Sequence, residues 1–353
     1  MIRVGIIGMG GMGKGRLPLY RDIPGAQVVA IADIRAETLR QDADLSTLLE
    51  IAPSDLRWFS DYAALAKSGL VDMVDICLPT GCHRPAVETA LAAGLHVLCE
   101  KPMALTSADC DAMVAASERA QRHLMIAQCI RFWPEYEYLA DLCNSGEAGR
   151  LLSLQLSRQG AAPSRAWFCR AAESGGALLD LHIHDIDYCH ALLGLPRRVY
   201  AQGGMGQGPE AGYDFCLSNL DYGPETQVSA TAQWSKAPIP FAARYEARFE
   251  EAFLRFDSSK SPTLTVYRVD AEPEQPTFGS DSAYRNEIRY LLSCIERGER
   301  PARCTPQQTR DSVALIEAIR ASLQGQEMVS IDGAGSLVPA GGYWGSSGVE
   351  WLI

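Results

Sequence analysis

The stretch from Val4 to Asp33 constrains the fold more than any other part of this chain. Val4 to Ile7 is a short apolar run bounded by Gly8, as a fully buried strand of a parallel sheet would be. Gly8-Met9-Gly10-Gly11-Met12-Gly13 follows and fits G-x-G-x-x-G through Gly8, Gly10 and Gly13. The first glycine of that pattern permits a tight turn, the second lets main chain approach a pyrophosphate, and the third lets a helix pack close to the strand. The helix then directs N–H groups at the anion. Val28 to Ala32 reads as a second buried strand with Asp33 at its end, 20 residues past Gly13. A carboxylate there can accept hydrogen bonds from ribose hydroxyls; its plain role would be to cap a helix from Ala36 onward. The glycines alone say little. Strand, turn, helix, strand and acid in this order predict a dinucleotide site, with Met9, Gly11, Met12 and Ile34 beside the turn and the acid.

Arg35 bears on the cofactor. An arginine two residues past the acid can pair with a 2′-phosphate, whereas Asp33 repels one. The balance favours NAD and leaves NADP possible. Pro18 should kink or shorten the first helix.

The alternation continues. Asp61–Lys67, Pro85–Ala93 and Ala108–Gln121 read as helices, and Met73–Leu78, His96–Cys99 and Leu124–Cys129 as strands. Alternating strands and helices argue for a doubly wound parallel sheet, whose ligands lie beyond the carboxyl ends of the strands. Thr80, His83 and Lys101 all lie just past strand ends on that edge, with Leu78, Pro79 and Glu100 beside them as cofactor-binding candidates.

At 353 residues the chain has room for two domains of roughly 100–200 residues each. We divide it into a Rossmann domain, 1–127, and a substrate-binding and oligomerisation domain, 128–353. The net charge of −11, with no long basic run, speaks against nucleic acid. Eleven scattered cysteines without a Cys-x-x-Cys pair suit buried thiols in a cytoplasm rather than disulfides or zinc. No apolar run approaches the ~20 residues of a membrane span, and the first residues lack a signal-peptide core.

Three segments together carry a resemblance: the glycine turn Gly8 to Gly13, the run Gly94-Leu95-His96-Val97-Leu98-Cys99-Glu100-Lys101-Pro102, and Gly175-Gly176-Ala177-Leu178-Leu179-Asp180-Leu181-His182-Ile183-His184-Asp185-Ile186-Asp187. In their order and spacing the chain resembles the glucose–fructose oxidoreductase / inositol dehydrogenase (Gfo/Idh/MocA) family. The resemblance implies an α/β fold, with an N-terminal Rossmann sheet and a C-terminal α/β domain built on a large, mostly antiparallel open sheet. It implies an NAD(P)-dependent oxidoreductase that moves a hydride between nicotinamide and a hydroxyl or carbonyl carbon of a sugar, polyol or related small molecule. It places the catalytic Lys at Lys101 and the catalytic pair at Asp180 and His184, which also face the substrate. It sets Thr80 near the cofactor ribose and Tyr284 toward the substrate.

The residues support that chemistry independently. Oxidising a secondary alcohol needs a base for the hydroxyl proton and a donor or cation near the oxygen. Leu178–Leu193 reads as one helix ended by Gly194, which would put Asp180 and His184 on one face, four residues apart. A carboxylate beside an imidazole can orient it and raise its pKa. The bland reading of such a pair is surface pairing, and of Lys101 a solvated side chain. His182 should point to another helix face, so the His182, His184 and Asp185 cluster is not read as a metal site. Asp187 is an alternative orienter or a surface acid, and His190 structural. Arg131 binds substrate oxygens or pairs with an acid, and His83 lines the cleft or starts a helix. Trp167, in a loop before the paired glycines, stacks on a sugar or only packs.

Run 152–158 alternates apolar and polar residues as a half-buried strand does, and further strand-like runs are 199–203, 214–220, 227–234, 245–249, 253–257 and 264–269. Such a sheet leaves one face open, so a homodimer or homotetramer through it is expected. Ser282–Gly298 reads as a helix. The Gly/Ser-rich tail Gly341-Gly342-Tyr343-Trp344-Gly345-Ser346-Ser347-Gly348 has no assigned structure. Two other functions stay open at this point: a non-catalytic nucleotide-binding sensor, and an NAD-dependent glycoside-cleaving enzyme.

Overall fold

The computed structural model describes residues 1–42, 45, 55–279, 281–331 and 337–338; the Gly/Ser-rich tail lies outside the described residues. Two sheets organise the chain. The first has six strands, β1 (Ile2–Ile7), β2 (Ala26–Ala32), β3 (Arg57–Phe59), β4 (Met73–Ile76), β5 (His96–Glu100) and β6 (Leu124–Ala127). They lie in the order β3-β2-β1-β4-β5-β6, and every pair is parallel. Both faces are covered, which is why β4 and β6 are buried along their whole length. The order reverses at β1/β4, the switch point beside which such sheets bind ligands.

Pro18 acts as expected. The α-helix Gly11–Arg16 passes directly into a 3-10 turn, Leu17–Tyr20, with proline near its start.

The second sheet has nine described strands: β7 (Leu151–Ala161), β8 (Arg198–Gly204), β9 (Phe215–Asp221), β10 (Gln227–Ser235), β11 (Ala242–Phe249), β12 (Ala252–Asp257), β13 (Leu264–Arg268), β14 (Val329–Ile331) and β15 (Leu337–Val338). Only β7 and β10 pair in parallel; the other neighbours are antiparallel. Period-2 alternation sends Cys216, Ser218 and Leu220 inward and leaves Phe215 and Leu217 exposed on the open face.

Two helices escaped the sequence reading. Pro134–Ser145 starts on a proline at its first turn. Pro306–Gly325 carries a full capping box between Thr305 and Gln308, and it packs on both Ser107–Ala120 and β8, tying the two sheets together.

The helix expected over 178–193 is broken. Gly176–Asp180 and Ile183–Leu193 are separate, joined through Leu181 and His182. The ladder slips at the joint: Leu181 and His182 both donate to the Ala177 carbonyl, at 3.0 and 2.9 Å. One extra residue in the turn rotates everything that follows it.

Candidate active site

The carboxyl edge of the parallel sheet gathers Gly8, Asp33, Cys77 to Pro79 and Lys101. Gly8 has φ +93°, and a Cβ there would lie 2.7 Å from the Cys77 carbonyl oxygen. A Cβ on Gly13 would lie 2.0 Å from the Gly8 carbonyl oxygen. Both positions therefore demand glycine. Above Gly10 and Gly11 the surface is bare main chain. The nearest atoms to a Cβ added there belong to the Arg165 guanidinium, at 3.1 and 3.2 Å. Arg165 reaches over from the segment that follows β7 and carries no ion pair among the described residues. A side-chain-free turn faced by a free cation fits a pyrophosphate. Sequence reasoning missed Arg165, because nothing local says where its loop lies.

Asp33 accepts from the Met9 N–H at 2.8 Å and from Arg35 at its main-chain N–H and guanidinium. Burial works to raise this carboxyl, but the hydrogen bonds from Arg35 and Met9 hold it below the usual carboxylate range. It braces the glycine turn against the end of β2. Ile34 is fully out in solvent, and Met9 is buried beneath the turn, so only its main chain faces the edge.

Lys101 projects from the end of β5. Its Nζ donates to Asp180 Oδ1 at 3.1 Å and to the Asp180 carbonyl at 2.8 Å. The expected Asp180–His184 pair is not formed: the slipped turn redirects the carboxylate to Lys101. Nor is His184 made more basic. Burial, then the cations Lys101 and Arg158, push its imidazole well below the ordinary histidine value, so it is neutral. Its Nδ1 is buried without a hydrogen-bond partner.

The neighbours of His184 are all engaged elsewhere. His182 bonds Ser218 on β9 at 2.9 Å. Asp185 grips Arg158 of β7 at 2.8 and 3.2 Å. Asp187 takes Arg131 at 2.7 Å through both oxygens and Ser312 at 2.7 Å. The segment is thus tied to the second sheet, to the turn after β6 and to the helix Pro306–Gly325, and His184 is the ring left over. Asp187 is neither surface acid nor orienter, and His190 faces Ser312.

Three expected ligand contacts are corrected. Arg131 is consumed by Asp187 and Gln308 in the interior, the acid-pairing reading. His83 opens the helix His83–Ala92 and sets its two ring nitrogens against the carbonyls of Leu78 and Pro102, at 2.8 and 2.9 Å. Burial keeps the ring neutral, so its single N–H donates to one of these carbonyls while the other only packs against it, and His83 ties the loops after β4 and β5 together instead of lining the cleft. Glu100 turns inward to Arg16 at 3.1 Å. Thr80 is buried in the 3-10 turn Thr80–Cys82, between the half-exposed Leu78 and Pro79 and that helix. Trp167 is half-exposed and stacks on Phe168 with centroids 3.8 Å apart. The Tyr284 hydroxyl is pushed up by the Cys129 thiol, by burial and by Glu100 and Glu287. No cluster of metal-ligating residues occurs among the described residues, and no described helix is long and apolar enough to cross a membrane.

Residues 2–128 match the family described as "Oxidoreductase family, NAD-binding Rossmann fold", and residues 136–275 match the GFO/IDH/MocA C-terminal domain. The oxidoreductase YrbE of Bacillus subtilis is 30% identical over 94% of this chain and 97% of its own length. The D-apiose dehydrogenase of Paraburkholderia graminis is 28% identical over 95% of this chain and 91% of its own length. A levoglucosan dehydrogenase solved with NADH superposes with a TM-score of 0.82 at 20% identity, covering 93% of this chain and 98% of that one.

Proposed function

The chain belongs to the GFO/IDH/MocA oxidoreductase family, and from that membership we propose that the edge holding Lys101, Asp180 and His184 oxidises a secondary hydroxyl of a sugar or polyol, or runs the reverse reduction. It is an NAD(P)-dependent dehydrogenase acting on CH–OH groups. The observation that carries the site assignment is the Lys101 ammonium held at 3.1 Å by Asp180, beside a neutral imidazole with a free ring nitrogen.

Bound nicotinamide would supply the redox chemistry, as acceptor of the carbinol hydride. The protein must do the rest. The bare turn at Gly10–Gly11 and Arg165 would hold the pyrophosphate, and Asp33 the adenosine ribose, which favours NAD. His184, neutral at working pH, accepts the hydroxyl proton as the C–H bond breaks. Lys101 donates to the same oxygen, favouring its developing negative charge, and Asp180 fixes the ammonium so that it need not reorganise. One alcohol thus yields one carbonyl, one reduced nicotinamide and one proton.

A panel of pentoses, hexoses, anhydrosugars and cyclic polyols with NAD and with NADP, read as absorbance of the reduced nicotinamide, tests this. Growth of that band with at least one member supports the reading. Substrate cleavage without net reduction would reject it in favour of transient use of NAD.

Other proposals follow from the fold. We assign residues 1–127 to cofactor binding and 128–353 to substrate binding and assembly. The exposed Phe215 and Leu217 on the open sheet face support a homo-oligomer, testable by sedimentation. Eleven free thiols support a cytoplasmic setting.

A further inference from the structure

Beneath Lys101 lies a buried ionic node that the hydride chemistry does not use. Arg16, the last residue of the glycine-turn helix, is 1% exposed and meets three carboxyls. Its Nε donates to Asp75 of β4 at 2.8 Å; its Nη1 donates to Glu100 of β5 at 3.1 Å and to Glu287 of the helix Ala283–Arg297 at 2.6 Å. From the 3-10 turn, the Tyr20 hydroxyl donates to Asp75 at 2.7 Å, and the Cys77 thiol faces the other Asp75 oxygen. The Cys129 thiol and the Tyr284 hydroxyl lie within electrostatic reach of Glu100 and Glu287. Lys101 joins through its main-chain N–H, which donates to Glu100 Oε2 at 3.3 Å, and through its charge, which acts on the same carboxyl.

One guanidinium cannot balance three buried carboxylates, since each uncompensated charge forfeits its hydration. A retained proton relieves the node. Asp75 accepts from Arg16, Tyr20 and Cys77, and Glu100 from Arg16 and the Lys101 main chain. Among the described residues Glu287 accepts only from Arg16, and its Oε2 is buried without a partner. Burial, with Glu100 and Asp75 adding repulsion against the pull of Arg16, lifts Glu287 to about 8.

We propose that Glu287, in its neutral form, is a positioning residue for Lys101. Uncharged, it leaves the Arg16 charge to Asp75 and Glu100, and Glu100 stays seated against the Lys101 main chain. Ionised, it competes with Glu100 for Arg16 Nη1, which donates to both, and loosens Glu100 although Nη2 has no partner among the described residues. The same guanidinium sits three residues past Gly13, so one proton on the helix Ala283–Arg297 acts at the end of the glycine-turn helix as well as beneath Lys101. The inference rests on the role given to Lys101 above.

Two measurements on the full chain, neither needing substrate or cofactor, decide it. Infrared difference spectra between pH 7 and 9 should show a neutral carboxylic acid band that disappears with alkali and is absent from Glu287→Gln. Trace acetylation with acetic anhydride, read by mass spectrometry, should show the Lys101 rate relative to the exposed Lys260 changing by about threefold or more in a step near the Glu287 value. The Glu287→Gln protein should match wild type within about twofold at pH 7 and lack the step. A variant that keeps the step, or a wild-type spectrum without the acid band, overturns the proposal. If the glutamine variant does not fold, coincidence of band loss and labelling step in wild type supports it, and separation of the two refutes it. The dehydrogenase reading fails by a different route, through undiminished turnover of Lys101→Ala.

Discussion

Lys101 Nζ stands 3.1 Å from Asp180 Oδ1, although the lysine directly follows a strand of the parallel sheet and the aspartate ends a short helix under the other sheet. This contact joins the two halves of the proposed active edge. The ammonium is one-sixth exposed and the carboxylate less, so the pair is partly screened by solvent, and its worth lies in geometry more than stability. Replacing Lys101 by Ala should therefore leave the melting temperature nearly unchanged. Turnover should drop about a hundredfold or more, with NADH affinity by fluorescence titration held within about threefold. A parallel loss of NADH affinity would move Lys101 from the oxygen to the cofactor.

Arg165 invites a second test. Its guanidinium lies over Gly10 and Gly11, where a dinucleotide would place its phosphates. Arg165→Ala should weaken ADP-ribose about tenfold and adenosine hardly at all, measured by calorimetry at fixed salt. Equal weakening of both ligands would show that the arginine acts on the loop and not on the phosphates.

The contrast between Arg165 and Arg131 shows where sequence reading stops. The strand–turn–helix–strand–acid order and the alternating runs of the second sheet are local patterns, and the structure follows them within a few residues. Side-chain direction is decided by partners far along the chain. Arg131 follows a strand end as a ligand-binding residue would, yet Asp187 claims it from 56 residues away. Arg16 looks like a surface helical cation until Glu287 meets it from 271 residues away. The break at Leu181–His182 likewise answers to Ser218 and Lys101, which no helical period can announce. By contrast, Pro306–Gly325 was legible. Thr305-Pro306-Gln307-Gln308 spells out its capping box, and its moderate hydrophobicity on several faces, where it packs between two sheets, hid it.

The buried Arg131–Asp187 pair yields a stability prediction. Arg131→Ala strands a fully buried carboxylate, which costs about 3–5 kcal/mol. Denaturant midpoints should fall accordingly, while kcat per folded molecule stays close to wild type. A variant of normal stability with a raised substrate KM would return Arg131 to the substrate site.

Acid should unfold the protein through its buried neutral histidines. Burial and the nearby Arg158 push His182 down to about 3. The unfolded chain, with an ordinary value near 6.5, binds the proton that the folded chain refuses. Stability is therefore lost as pH falls from about 6.5 toward 3, at up to about 1.4 kcal/mol per pH unit for this one group. In His182→Asn the slope of unfolding free energy against pH should flatten by that amount. An unchanged slope would mean that His182 is protonated in the fold.

Two glycines of the first helix separate cofactor geometry from helix propensity. Gly13 and Gly15 sit two residues apart in Gly11–Arg16. A Cβ on Gly15 meets nothing within 4 Å, and the position is exposed, so Gly15→Ala trades backbone freedom for helix preference. It should stabilise the protein by about 0.5–1 kcal/mol and leave NADH binding untouched. A Cβ on Gly13 lies 2.0 Å from the Gly8 carbonyl oxygen, main chain that cannot swing aside. Gly13→Ala must push the helix away from β1, which misplaces the turn and drags Arg16 from its carboxyls. The variant should melt at lower temperature and bind NADH at least about tenfold more weakly. Wild-type NADH affinity in Gly13→Ala would mean that the cofactor does not rest on this turn, since no conformation that accommodates the new methyl keeps Gly8 and the helix where they now stand.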